Sequence, residues 1–423
     1  MPESQPRGPH SHGAEGREDT RAPGEGHGGG LLLCGARLPD GRLVDVRLAG
    51  GRIEAVGTVG SLGVRPGGAR LDLSGYLLLP APAEPHAHCE SALTSDAGGP
   101  VGQERADVLR RTTEAALLQL GHGATALRAH ARIGGVQGLG GLEAALGAQR
   151  VLRGLADLSV VAVPRLLTGA AGADGLAMLR DAMKMGASVV GGCPDADPDP
   201  GGYVETVLEV AAEHGCPVDL HTDGDDPARL ARLAAMAGGL RPGVTIGPCA
   251  GLSRLPGDAA TRVARQLAAA GVNVVCLPQG GCGAVERRGS APVRLLRAAG
   301  VRVAAGGGAL RDPANPVGRG DPLEAAFLLA SQAGLRPREA YDAVAGSARA
   351  VLGLPRVRVE AGFPAELLAV RGDGLAGVLS LAYSRVVVHR GRVVARTSAV
   401  REYCDWPVPA AQAPGLPHQQ GPS

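Results

Sequence analysis

The stretch Leu77-Leu78-Leu79-Pro80-Ala81-Pro82-Ala83-Glu84-Pro85-His86-Ala87-His88 decides how this chain is read. An apolar run that finishes in His-x-His is a strand presenting two imidazoles on one side, because strand side chains alternate with period two. Two imidazoles aimed at one point are how a strand offers a divalent metal two of its ligands. The plainer alternative is a pair of polar residues on the rim of a sheet.

The same pattern recurs downstream. After Leu77–Glu84, further strands are expected at Ala124–Ala131, Leu158–Pro164, Ser188–Pro194, Pro217–Asp223, Val244–Cys249, Asn273–Pro278 and Arg302–Gly306. Helical periodicity separates them at Asp107–Leu120, Gly172–Met185, Tyr203–His214, Pro227–Ala237 and Thr261–Ala270. Strands alternating with helices predict an α/β fold, and a count of eight predicts a parallel (β/α)8 TIM barrel. An open doubly wound sheet is the alternative. Polar punctuation falls repeatedly at strand C-terminal ends, where barrels place their sites, and this favours the barrel.

Both ends of the chain read differently. Leu31–Cys34, Val44–Leu48 and Ile53–Val56 are short strands joined by tight turns, as are Ala365–Val370, Arg385–His389 and Gly391–Val394. They predict a small β-sandwich domain built from residues 30–75 and 356–400, with a barrel over 76–355 inserted between its halves. Residues 1–29 and 401–423 bury too little apolar surface to offset ordering entropy and are expected to be disordered tails. His10, His12 and His27 fall in the first of these, where their spacing is read as incidental.

Composition narrows the class. The 423 residues are 44% hydrophobic and 20% charged, as in globular proteins. Aromatics are only 2%, so the core must come from Leu, Val and Ala. A net charge of +2 supplies no field for nucleic acid or an anionic membrane. None of the eight cysteines forms a C-x-x-C pair, and most sit in apolar stretches, as buried thiols do. No secretory signal and no membrane-spanning run is legible, so a cytoplasmic location is expected. The glycine clusters match neither a phosphate loop nor a dinucleotide fingerprint, and no G-x-S-x-G elbow is present.

Specific motifs then carry a resemblance. Glu84-Pro85-His86-Ala87-His88 with Ala92-Leu93-Thr94, Arg128-Ala129-His130, His221-Thr222-Asp223, and the long run from Arg311-Asp312-Pro313 to Gly320-Asp321-Pro322-Leu323 resemble the cytosine-deaminase-like group of the amidohydrolase superfamily. The likeness covers roughly residues 30–398. It implies a metal-dependent hydrolase that removes an exocyclic amine from a ring, or cleaves another non-peptide C–N bond. The metal, zinc or iron, would be held by His86, His88 and His221, with an Asp from strand eight. A Glu after the strand-five His would shuttle the proton, and a strand-six His would orient the attack.

Several of those positions depart from the pattern. The shuttle Glu falls at Gly224, the strand-six His at Pro248 and the strand-eight Asp at Gly308. A substrate-binding Gln falls at Arg165. General acid–base catalysis contributes about 10²–10⁴-fold in rate, so the resemblance implies impaired or lost deamination, a pseudoenzyme. Glu90, close to His88, is the candidate stand-in acid. Arg128, His130, Arg165 and Asp312 are candidate pocket residues. For Arg128 and His130 the competing reading is a buried structural pair, and for Arg165 a solvated rim charge. Two other functions stay open: an active C–N hydrolase with a rebuilt site, and a non-catalytic ligand-binding or assembly partner. The expected partners are a small ring ligand and further copies of the chain.

Overall fold

The computed structural model describes residues 30–97, 101–280 and 289–399. The two expected tails, together with Cys282 and Cys404, lie outside the described residues. Eight strands follow one another in a single parallel sheet: Ala83–Ala87, Ala126–Ile133, Asp157–Pro164, Val189–Gly192, Val218–Thr222, Val244–Pro248, Asn273–Cys276 and Val303–Ala305. A parallel bridge between Ala87 and Gly308 joins the first strand to the end of the last and closes the barrel. These strands are buried almost throughout because helices cover one face and the barrel interior the other. The strand Val189-Val190-Gly191-Gly192, for example, is buried at every position.

The connecting helices start and stop where local chemistry says they should. Asp199 and Asp226 accept hydrogen bonds from the first free N–H groups of helices Pro200–His214 and Pro227–Ala237. Each of those helices has Pro in its first turn, where no donor is lost. Gly215 and Gly271 close helices Pro200–His214 and Gly257–Ala270 in the left-handed conformation. Leu, Val and Ala dominate the main core, as the scarcity of aromatics requires. All six described cysteines are free thiols. No described helix is long and apolar enough to cross a membrane.

The chain ends form a second sheet, ordered Arg392–Thr397, Arg385–His389, Leu367–Arg371, Tyr76–Pro80, Leu31–Arg37, Leu43–Ala49 and Arg52–Thr58, with Ala69–Asp72 branching from Leu31–Arg37. It corrects one expectation. The run Leu77–Glu84 is not a single barrel strand. Tyr76–Pro80 pairs antiparallel with Leu367–Arg371 in the end sheet, and a separate strand, Ala83–Ala87, opens the barrel. Pro80 and Pro82 flank the break, since neither can donate to a ladder. A buried bidentate ion pair ties the two sheets' surroundings together. Arg385 donates to Asp321 at 2.8 and 2.6 Å, and Asp321 in turn caps helix Pro322–Ser331.

Candidate metal centre and pocket

Three imidazoles meet at the C-terminal mouth of the barrel. His86 lies on the first strand and His88 just beyond it, so alternation turns both inward; His221 comes from the fifth strand. The Nε2 atoms of His86 and His88 are 3.2 Å apart. Those of His88 and His221 are 3.1 Å apart. Nitrogens bound to one zinc at about 2.0–2.1 Å in a tetrahedral site are separated by about 3.3 Å. The donor set therefore fits a divalent metal. Burial, then the neighbouring imidazoles, holds His86 and His88 well below the usual histidine range. Burial, reinforced by His130, lowers His221 to about 3. All three are thus neutral at neutral pH, the state a metal requires of imidazole.

A fourth ring, His130 on the second strand, packs against this trio. Its centroid lies 4.2 Å from that of His86 and 4.6 Å from that of His221. Its ring nitrogens group with His86 and Asp219 rather than with the other two imidazoles. Asp219 was not anticipated as a site residue. It sits two positions before His221, on the same face of the fifth strand, and one layer deeper. Its carboxylate accepts from Arg128 Nη1 at 2.8 Å and lies 3.4 Å from His130 Nε2. Burial alone pushes this carboxyl up, but His130 and Arg128 outweigh it and hold Asp219 at about 2. The spacing Asp219-Leu220-His221 inside an apolar strand was the signal available in the sequence. Arg128 is buried against Asp219 and does not border the cavity.

Gly306, Gly307 and Gly308 run along the barrel mouth beside the trio. Gly307 N–H donates to Glu84 at 2.7 Å, and the other Glu84 oxygen accepts from His86 N–H at 3.0 Å. Glu84 is fully buried, and that burial pushes its carboxyl up to about 8 despite both hydrogen bonds. Gly308 has φ +67°, a conformation that disfavours L side chains. A Cβ placed on it would come within 2.9 Å of Leu277 Cδ1. The tip of the Leu277 side chain thus faces the Cβ position of Gly308. Gly224 also has positive φ, +74°, and a Cβ there would sit 3.3 Å from Leu252 Cγ.

A cavity of about 720 Å³ opens above the imidazoles. His88, His130, His221, Arg132, Asp312 and Pro248 border it, with apolar wall from Val101, Val163 and Ala250. Among the described residues, the carboxylates at its edge are already engaged. Asp195 accepts from Thr222 Oγ1 and Arg229 Nη1, both at 2.9 Å. Asp223 accepts from Gly251 N–H at 3.1 Å and from Arg254. Asp312 accepts from the N–H groups of Ala314 and Asn315 and from Ser91 Oγ. Two of the anticipated residues are elsewhere. Glu90 turns its carboxylate to the backbone N–H and guanidinium of Arg132 and does not border the cavity. Arg165 is exposed beyond the third strand and does not border it either.

Comparison with known proteins places this geometry. The sequence profile of the amidohydrolase family matches residues 103–395, well over half of the chain. A pterin deaminase of Rhizobium rhizogenes is 30% identical over 228 residues, which span 49% of this chain and 52% of that protein. The chain thus matches about half the length of this curated relative. N-isopropylammelide isopropylaminohydrolase from Burkholderia multivorans superposes with a TM-score of 0.77 at 26% identity, over 88% of this chain and all of that one. The 5-methylcytosine deaminase of Klebsiella pneumoniae superposes with a TM-score of 0.77 at 22% identity, over 89% of this chain and 99% of that one, a likeness of fold.

Proposed function

The chain belongs to the amidohydrolase family, and from that premise we propose that it binds a divalent metal and a small ring ligand at the barrel mouth while lacking the machinery for efficient deamination. The observation that carries this reading is the contact of Leu277 with the Cβ position of Gly308. A bare glycine alone could be a simple deletion of a side chain. A glycine at positive φ whose Cβ position meets the tip of a buried leucine supports the reading that this position supplies no carboxylate.

His86, His88 and His221 would hold the metal, zinc or iron, through their Nε2 atoms. When bound, such an ion supplies Lewis acidity at an open coordination position. The chain's own contribution is to keep the three imidazoles neutral by burial, and to fix His130 and Arg128 against Asp219. The cavity of about 720 Å³ suits a small organic ligand, and its apolar wall excludes water from one side. Weak proton transfer is part of this reading. Gly224 and Pro248 carry no titratable group, and the bordering carboxylates of Asp195 and Asp223 are each paired with an arginine.

The test is ammonia release from cytosine, pterin and amino-triazine rings by zinc-loaded and iron-loaded protein. We expect one metal per chain and a rate indistinguishable from that of His88→Ala. Turnover above background that disappears in His88→Ala would instead establish an active hydrolase with a rebuilt site.

A further inference from the structure

Three imidazoles leave the centre one protein ligand short of a closed set, and among the described residues the carboxylates that border the cavity are held by other partners. At the strand-eight position Gly308 has no side chain, and the tip of Leu277 lies 2.9 Å from where its Cβ would be. His130 Nε2 lies 3.4 Å from Asp219, and its ring nitrogens group with that carboxylate and His86 and not with His88 or His221. The carboxylates of Asp195 and Asp223 are tied to Arg229 and Arg254, and that of Asp312 to two backbone N–H groups and Ser91.

Charge then selects what can fill the gap. Three neutral imidazoles bring no negative charge, so a divalent ion among them keeps its full charge. Beneath the trio, Arg128 and Asp219 cancel one another. At the rim, Arg132 is paired with Glu90. No described carboxylate groups with all three imidazoles, so an anionic ligand to the metal would come from solution. The cavity wall is largely apolar, with Val101, Val163, Pro248 and Ala250 facing the space above the imidazoles.

Resting on the metal-binding reading above, we propose that the ligand of this site is a small organic acid whose own carboxylate completes the metal centre and whose apolar body lies against that wall. The site would thereby discriminate an acid from the isosteric neutral amide. Full-length protein loaded with cobalt(II) reports this through its visible absorption, which follows the metal's ligands. Benzoate is the probe, and benzamide is the neutral control of the same shape.

Benzoate should change the cobalt bands saturably and bind at least tenfold more tightly than benzamide. In Gly308→Asp/Leu277→Ala, which returns a carboxylate and makes room for it, benzoate affinity should fall tenfold or more. If that variant does not fold, the comparison of benzoate with benzamide on the wild-type protein decides alone. A chain that retains no cobalt would overturn the metal-binding reading and this inference with it. Cobalt retained with bands indifferent to benzoate, or shifted equally by benzamide, would overturn the inference alone. So would bands already four-coordinate that change in His130→Gln, since His130 would then be the fourth ligand.

Discussion

His88 and His221 are 133 residues apart in the chain, yet their Nε2 atoms lie 3.1 Å apart across the barrel mouth. Only closure of the parallel sheet brings them together. The first strand supplies one and the fifth the other, so the site is a product of the fold and not of any local segment.

Metal retention should depend on each of these rings. His88→Ala and His221→Ala are expected to lower metal affinity by at least about a hundredfold, because a three-nitrogen site loses a third of its donors. Elemental analysis after dialysis reads this directly. Wild type should hold one equivalent and the variants almost none. Equal retention in all three would place the metal elsewhere.

Acid should destabilise the metal-free protein. Burial, and then the charge of neighbouring rings, puts His221 at about 3, against an ordinary value of 6.5. The unfolded chain therefore binds more protons than the folded one between those values, and stability falls as pH drops below about 6.5. From pH 7 to pH 5, His221 alone accounts for a loss on the order of 2 kcal/mol. Urea midpoints at several pH values measure it. The midpoint should decline below pH 6.5, and bound zinc should lessen the decline. A flat profile for the metal-free protein contradicts the buried, neutral trio.

The pair beneath the trio should matter to folding more than to binding. Arg128 Nη1 donates to Asp219 at 2.8 Å with both side chains almost wholly buried. Removing one partner of such a pair leaves an uncompensated buried charge and costs about 3–5 kcal/mol. Asp219→Asn and Arg128→Met are each expected to fall in that range by urea unfolding. The double variant should lose less than the sum, because each single change leaves the other charge buried and unpaired, whereas the double variant leaves neither.

Restoring the missing catalytic groups should fail without repacking. Gly308→Asp places a side chain at φ +67° and 2.9 Å from Leu277 Cδ1. Positive φ and overpacking together should cost about 2–5 kcal/mol. Gly224→Glu/Pro248→His/Gly308→Asp is therefore expected to be destabilised and inactive, and the addition of Leu277→Ala to recover part of the stability. Thermal melts of the triple and quadruple variants, with ammonia assays on both, separate the two effects. A triple variant as stable as wild type would show that the leucine does not block the slot.

Much of this molecule was legible in the chain because its signals are local. Strand and helix alternation over Ala124–Gly306 follows from hydrophobic period and from Gly, Pro and Asp punctuation, and helix Gly172–Met185 begins and ends where its pattern does. His-x-His at 86–88 and the lone His221 in an apolar strand marked three rings that the fold does bring together. Long-range pairing was not legible. Leu77–Pro80 joins Leu367–Arg371 across nearly 300 residues, and nothing in an apolar run says which sheet it will enter. Asp219 was readable by its two-residue offset from His221, though an acid inside an apolar strand has no meaning until Arg128 is seen beside it. Leu277 gave no signal at all: a leucine after a buried strand looks like core, and its closeness to Gly308 emerges only in the fold.

The central claim is a metal held by three imidazoles with no protein carboxylate. X-ray absorption at the zinc edge of the loaded, ligand-free protein tests it most directly. The account predicts scattering from three imidazole rings and one solvent-derived light atom, with one ring lost in His88→Ala. Fewer than three rings, a sulfur ligand, or a spectrum unchanged by His88→Ala would contradict it.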